Sequence, residues 1–151
     1  MLATLESMSQ TNPSTLKTYA FRLAPEQDVK KSILDFAKQN KIKAGCILSV
    51  VGSLKQLNVR FANQPVGTRL KGYYEVVSMS GIFSDSSSHI HIAVSDDTGR
   101  TTGGHLLEDS LVYTTLEVVV GELSEYEFSR EKDPTYGQNE LVAKLRSNLK
   151  K

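Results

Sequence analysis

A single cysteine cannot form an internal disulfide, and Cys46 is alone among 151 residues. A small secreted scaffold held together by cross-links is therefore excluded. The surrounding AGCILSVVG makes Cys46 a small buried hydrophobe rather than a nucleophile. No apolar run approaches the roughly eighteen residues a membrane-crossing helix needs. The opening MLATLESMSQTNPST has neither a basic start nor an apolar stretch of signal-peptide length, so a soluble, cytoplasmic protein without a membrane partner is expected. Glycine (10) and proline (4) are at ordinary levels, and no window repeats another. Charge of one sign is also lacking, with a net value of +1. Nucleic-acid binders draw much of their affinity from phosphate neutralisation and usually show a basic patch. Here KTYAFR, the lysines at 30, 31, 38, 41 and 43, and the tail KLRSNLKK each read as solvated faces, which weakens the case for DNA. GTRLKG lacks the spacing of a P-loop or Rossmann turn, and no serine sits in a nucleophile elbow.

What is present is length enough for one domain with a substantial core. TYAFRL (18–23) alternates as a strand does. PEQDVKKSILDFAKQNKI predicts a helix over 25–40, with Pro25 in its first turn, Glu26 and Asp28 near its positive end, and Val29, Ile33, Phe36 and Ala37 on the core side. AGCILSVVGSL (44–54) reads as a buried strand, QLNVRFA (56–62) as its pairing partner, and ANQPVGTRLKG as a loop. YYEVVSMSGIFS (73–84) is rich in strand formers, and HIHIAVS and RTTGGHLL flank the turn DDTG. LVYTTLEVVVGELSEYEF (111–128) opens as a long strand, with a bend expected at Gly121. REKDPTYGQNE is turn-rich, and a short amphipathic or frayed tail follows. The expected class is α+β: a mostly antiparallel, strongly twisted β-sheet of six or seven strands with one main helix packed on it. The expected organisation is a flexible N-terminal arm (1–15), a domain (16–142) and a basic C-terminal tail (143–151).

All three histidines fall between Ser88 and Leu107, in SHIHIAVSDDTGRTTGGHLL. In a strand, residues i and i+2 share a face, so His89 and His91 project together, roughly 6–7 Å apart at the backbone, while Ile90, Ile92 and Val94 face the other way. A three-residue loop of Asp97, Thr98 and Gly99, with glycine left-handed, sets Asp96 opposite Arg100. Counting back along the ladder then pairs Ala93 with Gly103 and His91 with His105. Directly opposed side chains have Cβ atoms about 4.5–5.5 Å apart, close enough for imidazoles to converge on a zinc ion at about 2.0–2.1 Å. Three imidazoles leave a fourth position open, as in catalytic zinc sites. A one-residue change of loop length would send His105 to the core face, and Gly103 with Gly104 could introduce a bulge. Three unrelated surface or core imidazoles remain the alternative.

Glu75 in YYEVVS and Glu117 in TTLEVVVGE are the candidate catalytic carboxylates. An acid inside a β-run either has a pocket or metal partner or points outward into solvent. If DSSS forms a four-residue loop, Val77, Met79 and Phe83 share the core face with Ile90, and Glu75 goes with them.

GYYEVVSMSGIF resembles the signature G-[RP]-F-E-I-[LV]-S-[LM]-S-G-[ST]-[FL] of the PPC (plant and prokaryote conserved) domain. HIHIAVSDDTGRTTGGHLLEDSLVYTTLEVVVGEL resembles the following half of its prokaryotic members, and the likeness spans 18–142. Tyr73 and Tyr74 stand where the signature has Arg or Pro and then Phe. The resemblance implies the PPC-domain fold, assembly as a homotrimer, zinc held by His89, His91 and His105, and a DNA-binding or regulatory role. The AT-hook that accompanies the domain in plants, an RGRP-type segment, does not occur in this sequence. The fold is also similar to that of α-acetolactate decarboxylase, a zinc lyase. That similarity implies an alternative: a zinc-dependent enzyme, lyase or hydrolase-like, acting on a small carbonyl substrate, with Glu75 or Glu117 moving protons. Fold analogy alone does not transfer chemistry. Imidazole also suits nickel and other divalent ions, so zinc is the expected ion but not the only one the ligands admit.

Overall fold

The computed structural model describes residues 12–135 and 137–147. The described residues form strands β1 (Leu16–Leu23), β2 (Gly45–Arg60), β3 (Thr68–Phe83), β4 (Ser88–Ser95), β5 (Thr101–Leu106), β6 (Leu111–Leu123), β7 (Tyr126–Lys132) and β8 (Asn139–Leu145), with helix α1 (Val29–Gln39) between β1 and β2. This is the expected α+β class with antiparallel pairing. No helix among the described residues is long and apolar enough to cross a membrane.

The helix begins later than its sequence pattern predicts. Asp28 caps it, one carboxylate oxygen accepting the Lys31 N–H at 3.0 Å and the other the Asp109 N–H at 2.6 Å. A capping carboxylate satisfies amides that the first turn leaves unpaired, so Pro25 and Glu26 lie in the preceding turn instead. Val29, Ile33 and Ala37 are buried as expected. Phe36 is half-buried and stacks on Phe21 with ring centroids 4.2 Å apart.

Six strands form one sheet in the order β1-β6-β2-β3-β4-β5, and β5 pairs again with the end of β2. The reading of 56–62 as a strand turning back on 44–54 is corrected: both belong to β2, with a register irregularity between Leu54 and Gln56. Lys55 is absorbed as a bulge because neither glycine nor proline is there to make a turn. This long strand holds β3 along one edge and β6 along the other, and its last residues reach β5 through Val59↔Leu106 and Arg60↔His105. β2, β3, β4 and β5 therefore close on themselves, so no edge is left at β5 beside the histidines.

Three other expectations change. β3 starts at Thr68, inside the expected 62–72 loop, because Leu70 pairs with the buried Leu57. A second register irregularity, between Val76 and Ser78, buries Val76 at 7% exposure and turns Val77 out at 55%. Glu75 is exposed as a result and does not join the core face. Gly121 is no bend: β6 runs straight through it to Leu123, pairing it with Thr18 and Cys46. A Cβ there would stand 2.6 Å from Leu16 Cδ1, so this glycine permits close approach.

The end of the chain is more ordered than its turn-rich sequence promises. β7 and β8 form a two-stranded sheet, and β8 runs past residue 142 into the expected tail. Arg146 anchors it, donating to buried Glu122 at 3.0 Å and to the Tyr126 carbonyl at 2.9 Å. At the other end the Thr15 N–H donates to Glu125 at 2.7 Å, so the last part of the expected arm is also tied down. Residues 1–11 and 148–151 lie outside the described residues.

A single apolar cluster joins α1 to the sheet, with Ile33, Leu54, Leu57, Val94, Val112 and Leu116 all at 0% exposure. Burying each such side chain contributes about 1.5–3 kcal/mol. Ile90, Ile92 and Val94 anchor β4 to this cluster, which fixes its histidines on the opposite face.

Candidate metal centre

The β4–β5 hairpin has the register its turn chemistry predicts: His91 pairs with His105 and Ala93 with Gly103. Gly99 is left-handed at φ 81°, and the Asp96 N–H donates to the Arg100 carbonyl at 3.0 Å. The Asp96 carboxylate accepts from the Thr98 hydroxyl at 2.7 Å, the Thr98 amide at 2.9 Å and the Arg100 amide at 3.0 Å. These bonds, the Thr98 hydroxyl foremost, hold its carboxyl below the usual range and lock the loop.

Gly103 and Gly104 cause no bulge; the ladder is continuous from Ser95↔Thr101 to His91↔His105. Their role is close approach on two sides. A Cβ on Gly103 would stand 2.2 Å from the Ile92 carbonyl oxygen on β4, and one on Gly104 would stand 2.7 Å from the Arg60 carbonyl oxygen on β2. Two bare backbone positions let β5 fit between its neighbours and carry His105 to the other two rings.

The three imidazoles converge. Their ring centroids are 5.0, 5.1 and 5.6 Å apart, and each offers a nitrogen within 4.8 Å of the others. His89 Nε2 and His91 Nε2 are separated by 3.2 Å. A tetrahedral ion with bonds of about 2.0–2.1 Å needs nitrogens about 3.3–3.4 Å apart, so the β4 pair is already spaced for one. His105 brings a third nitrogen within 4.8 Å of both. His105 Nδ1 is buried and has no hydrogen-bond partner among the described residues, an arrangement that costs about 1–3 kcal/mol unless something completes it. Burial, then the positive charges of its neighbours, pushes the His105 imidazole down to about 4. Burial, then Arg130, lowers His89 as well. Both effects favour the neutral ring, whose lone pair a metal needs. The donor set fits zinc or a similar divalent ion.

Two of the three, His89 and His105, line a cavity of about 680 Å³ whose walls also include Ser88, Arg60, Arg130 and Glu140. Sequence reasoning missed the last three. Arg60 could have been suspected, because Leu57 and Val59 alternate inward on its strand. Arg130 and Glu140 carried no local signal, since only the β7–β8 hairpin brings them here. Glu75 and Glu117 are both exposed and neither lines this cavity. Glu75 pairs with Ser95 at the turn end of β4 and borders a separate hollow with Tyr73 and Tyr113, while Glu117 pairs with Arg22 and Val51.

A one-helix antiparallel domain with a three-histidine face thus defines the class. The sequence matches the Plants and Prokaryotes Conserved (PCC) domain over residues 10–124, and the chain belongs to that family, the PPC domain of the signature above. It is 43% identical over 127 residues to the bifunctional protein GlmU of Synechococcus sp. (strain JA-3-3Ab), covering 84% of this chain and 20% of that protein. It is 27% identical over 128 residues to AT-hook motif nuclear-localized protein 13 of Arabidopsis thaliana, covering 78% of this chain and 29% of that protein. The chain therefore spans less than a third of the length of these curated relatives. Among solved structures, a hypothetical protein from Salmonella cholerae-suis is 40% identical with a TM-score of 0.88, the match covering 89% of this chain and 98% of that one. A metal-containing protein from Archaeoglobus fulgidus is 25% identical with a TM-score of 0.73, covering 89% of this chain and 99% of that one.

Proposed function

We propose that this PCC domain is a metal-binding module that holds zinc on His89, His91 and His105 and works as a homotrimer in the cytoplasm. The observation that carries the metal is the convergence of the three rings on one face, with nitrogens within 4.8 Å of one another. Bound there, zinc would supply an open fourth position that polarises a ligand oxygen. The chain's own contribution is to favour the neutral rings of His89 and His105, to orient the three imidazoles through the β4–β5 ladder, and to place Arg60 and Arg130 beside them. The test is elemental analysis of tag-free protein: about one ion per chain is expected, with loss in His91→Ala. Wild-type protein without a stoichiometric ion overturns the reading.

The trimer finds support in an apolar outer surface on three adjacent strands. Val51, Tyr73 and Val77 are 61%, 66% and 55% exposed, and Leu48 and Tyr113 stand out beside them. Patches of this kind mark contact surfaces, and a second copy of the chain is the occupant that fits. A monomer by light scattering rejects it. A DNA-associated or regulatory role rests on the AT-hook relatives, whereas a net charge of +1 offers little phosphate neutralisation. Salt-dependent retention on duplex DNA is expected if the role involves direct contact, and no retention at low salt excludes that contact.

One observation favours the second reading, a zinc-dependent enzyme acting on a small carbonyl substrate: His89 and His105 border an open cavity rather than solid packing. Glu140 lines that cavity, so it is better placed than Glu75 or Glu117 to move a proton there. A carbonyl-substrate screen with and without chelator tests this, and turnover unaffected by His91→Ala counts against it.

A further inference from the structure

The walls of the histidine cavity carry more than the triad uses. Arg60 is the direct cross-strand partner of His105, and among the described residues its guanidinium meets neither hydrogen-bond acceptor nor carboxylate. Arg130 commits one N–H to the Asn139 carbonyl at 3.0 Å, and among the described residues the rest of its fork meets no hydrogen-bond acceptor. Among the described residues Ser88 Oγ is buried without a partner, as is His105 Nδ1, and both residues line the same space. Two guanidiniums face one carboxylate, Glu140, so the lining is net positive before any ion is bound. Unpaired polar atoms and an unneutralised guanidinium are costly where burial begins, unless a ligand completes them.

We infer that the cavity binds a small carboxylate anion, one oxygen taking the open position of the three-histidine ion while the other is held by the Arg60 guanidinium, with Arg130 and Ser88 as secondary contacts. This inference rests on the metal reading above. The planar, two-oxygen carboxylate matches the guanidinium fork. A ligand at the open position of the triad lies within reach of Arg60, because Arg60 and His105 are opposed across the β2–β5 ladder. Glu140 on the same wall, with the neutral side chains of Gln138 and Asn139, suits a singly charged organic anion better than a doubly charged phosphate.

The experiment titrates pyruvate into zinc-loaded full-length protein by calorimetry, for wild type, Arg60→Ala and Arg60→Lys, with inorganic phosphate as competitor and zinc content measured on every sample. All three proteins should carry zinc equally. Pyruvate should bind wild type, bind Arg60→Ala about tenfold or more weakly, and bind Arg60→Lys in between, with phosphate failing to displace it at equal concentration. Zinc-loaded wild type that ignores pyruvate, unchanged affinity in Arg60→Ala, or displacement by equimolar phosphate overturns the inference while leaving the metal site standing. A wild-type protein that holds no zinc overturns the metal reading and the inference together.

Discussion

Replacing Gly103 by alanine tests whether strand closure and the histidine site are one structural feature. The new Cβ would stand 2.2 Å from the Ile92 carbonyl oxygen and 2.9 Å from Ala93 Cα. Both obstacles are backbone, so no rotamer change relieves them. Relaxed contacts lie at about 3.5–4.0 Å, so β5 must retreat from β4 by about 1 Å. Overpacking of this kind costs about 1–3 kcal/mol, and the rigid obstacle points to the upper end. For a domain of this size, that lowers Tm by about 6–12 °C. The same retreat pulls His105 away from His91, so zinc affinity should fall alongside stability. The assay is thermal unfolding followed by circular dichroism, paired with a zinc titration. Gly99→Ala is the control, because a Cβ there meets nothing within 4 Å and only the left-handed φ of 81° is strained. That strain costs about 1–2 kcal/mol and should leave zinc binding intact. A Gly103→Ala protein that melts within about 1 °C of wild type and binds zinc equally well would refute the reasoning.

Three further outcomes are expected. In chelator-treated protein, His105 titrates at about 4 when folded against an ordinary 6.5, so the unfolded chain takes up the proton first as pH falls. Its contribution is complete above pH 6.5 and lost progressively toward pH 4. The full linkage is about 3 kcal/mol, and solvent screening of a half-buried ring reduces it to about 1 kcal/mol; a pH–Tm profile with the same slope in His105→Gln would contradict this. Asp28→Ala removes the helix cap and the acceptor for the Asp109 amide, and should cost about 1–2 kcal/mol in chemical denaturation, an effect absent if the cap is immaterial. Val51→Asp places a charge on the exposed apolar face and should convert a trimer to monomers in light scattering without lowering the monomer's helix or sheet content.

How much of the site was legible follows from the range of the forces involved. The β4–β5 hairpin was readable because period-two alternation and a three-residue turn with a left-handed glycine are local rules, and together they admit one register. The readings that failed did so where a local rule met non-local pairing. Lys55 and Val77 carry no bulge signal, yet β2 must match β3 on one edge and β6 and β5 on the other, and the mismatch is absorbed there. Each bulge reverses the face of the residues beyond it, which is why Glu75 ended in solvent.

What the sequence determined by itself is therefore the α+β class, the buried face of the helix and the alignment of three imidazoles across one tight hairpin. Each depends on neighbours in the chain and on side-chain periodicity. The cavity was decided only by the tertiary structure. Arg60 reaches the histidines because β2 is long enough to close on β5, and Arg130 and Glu140 because the β7–β8 hairpin folds over the same opening. Contacts between residues so far apart in the chain are set by competition among whole strands for partners, and no short stretch of sequence records its outcome.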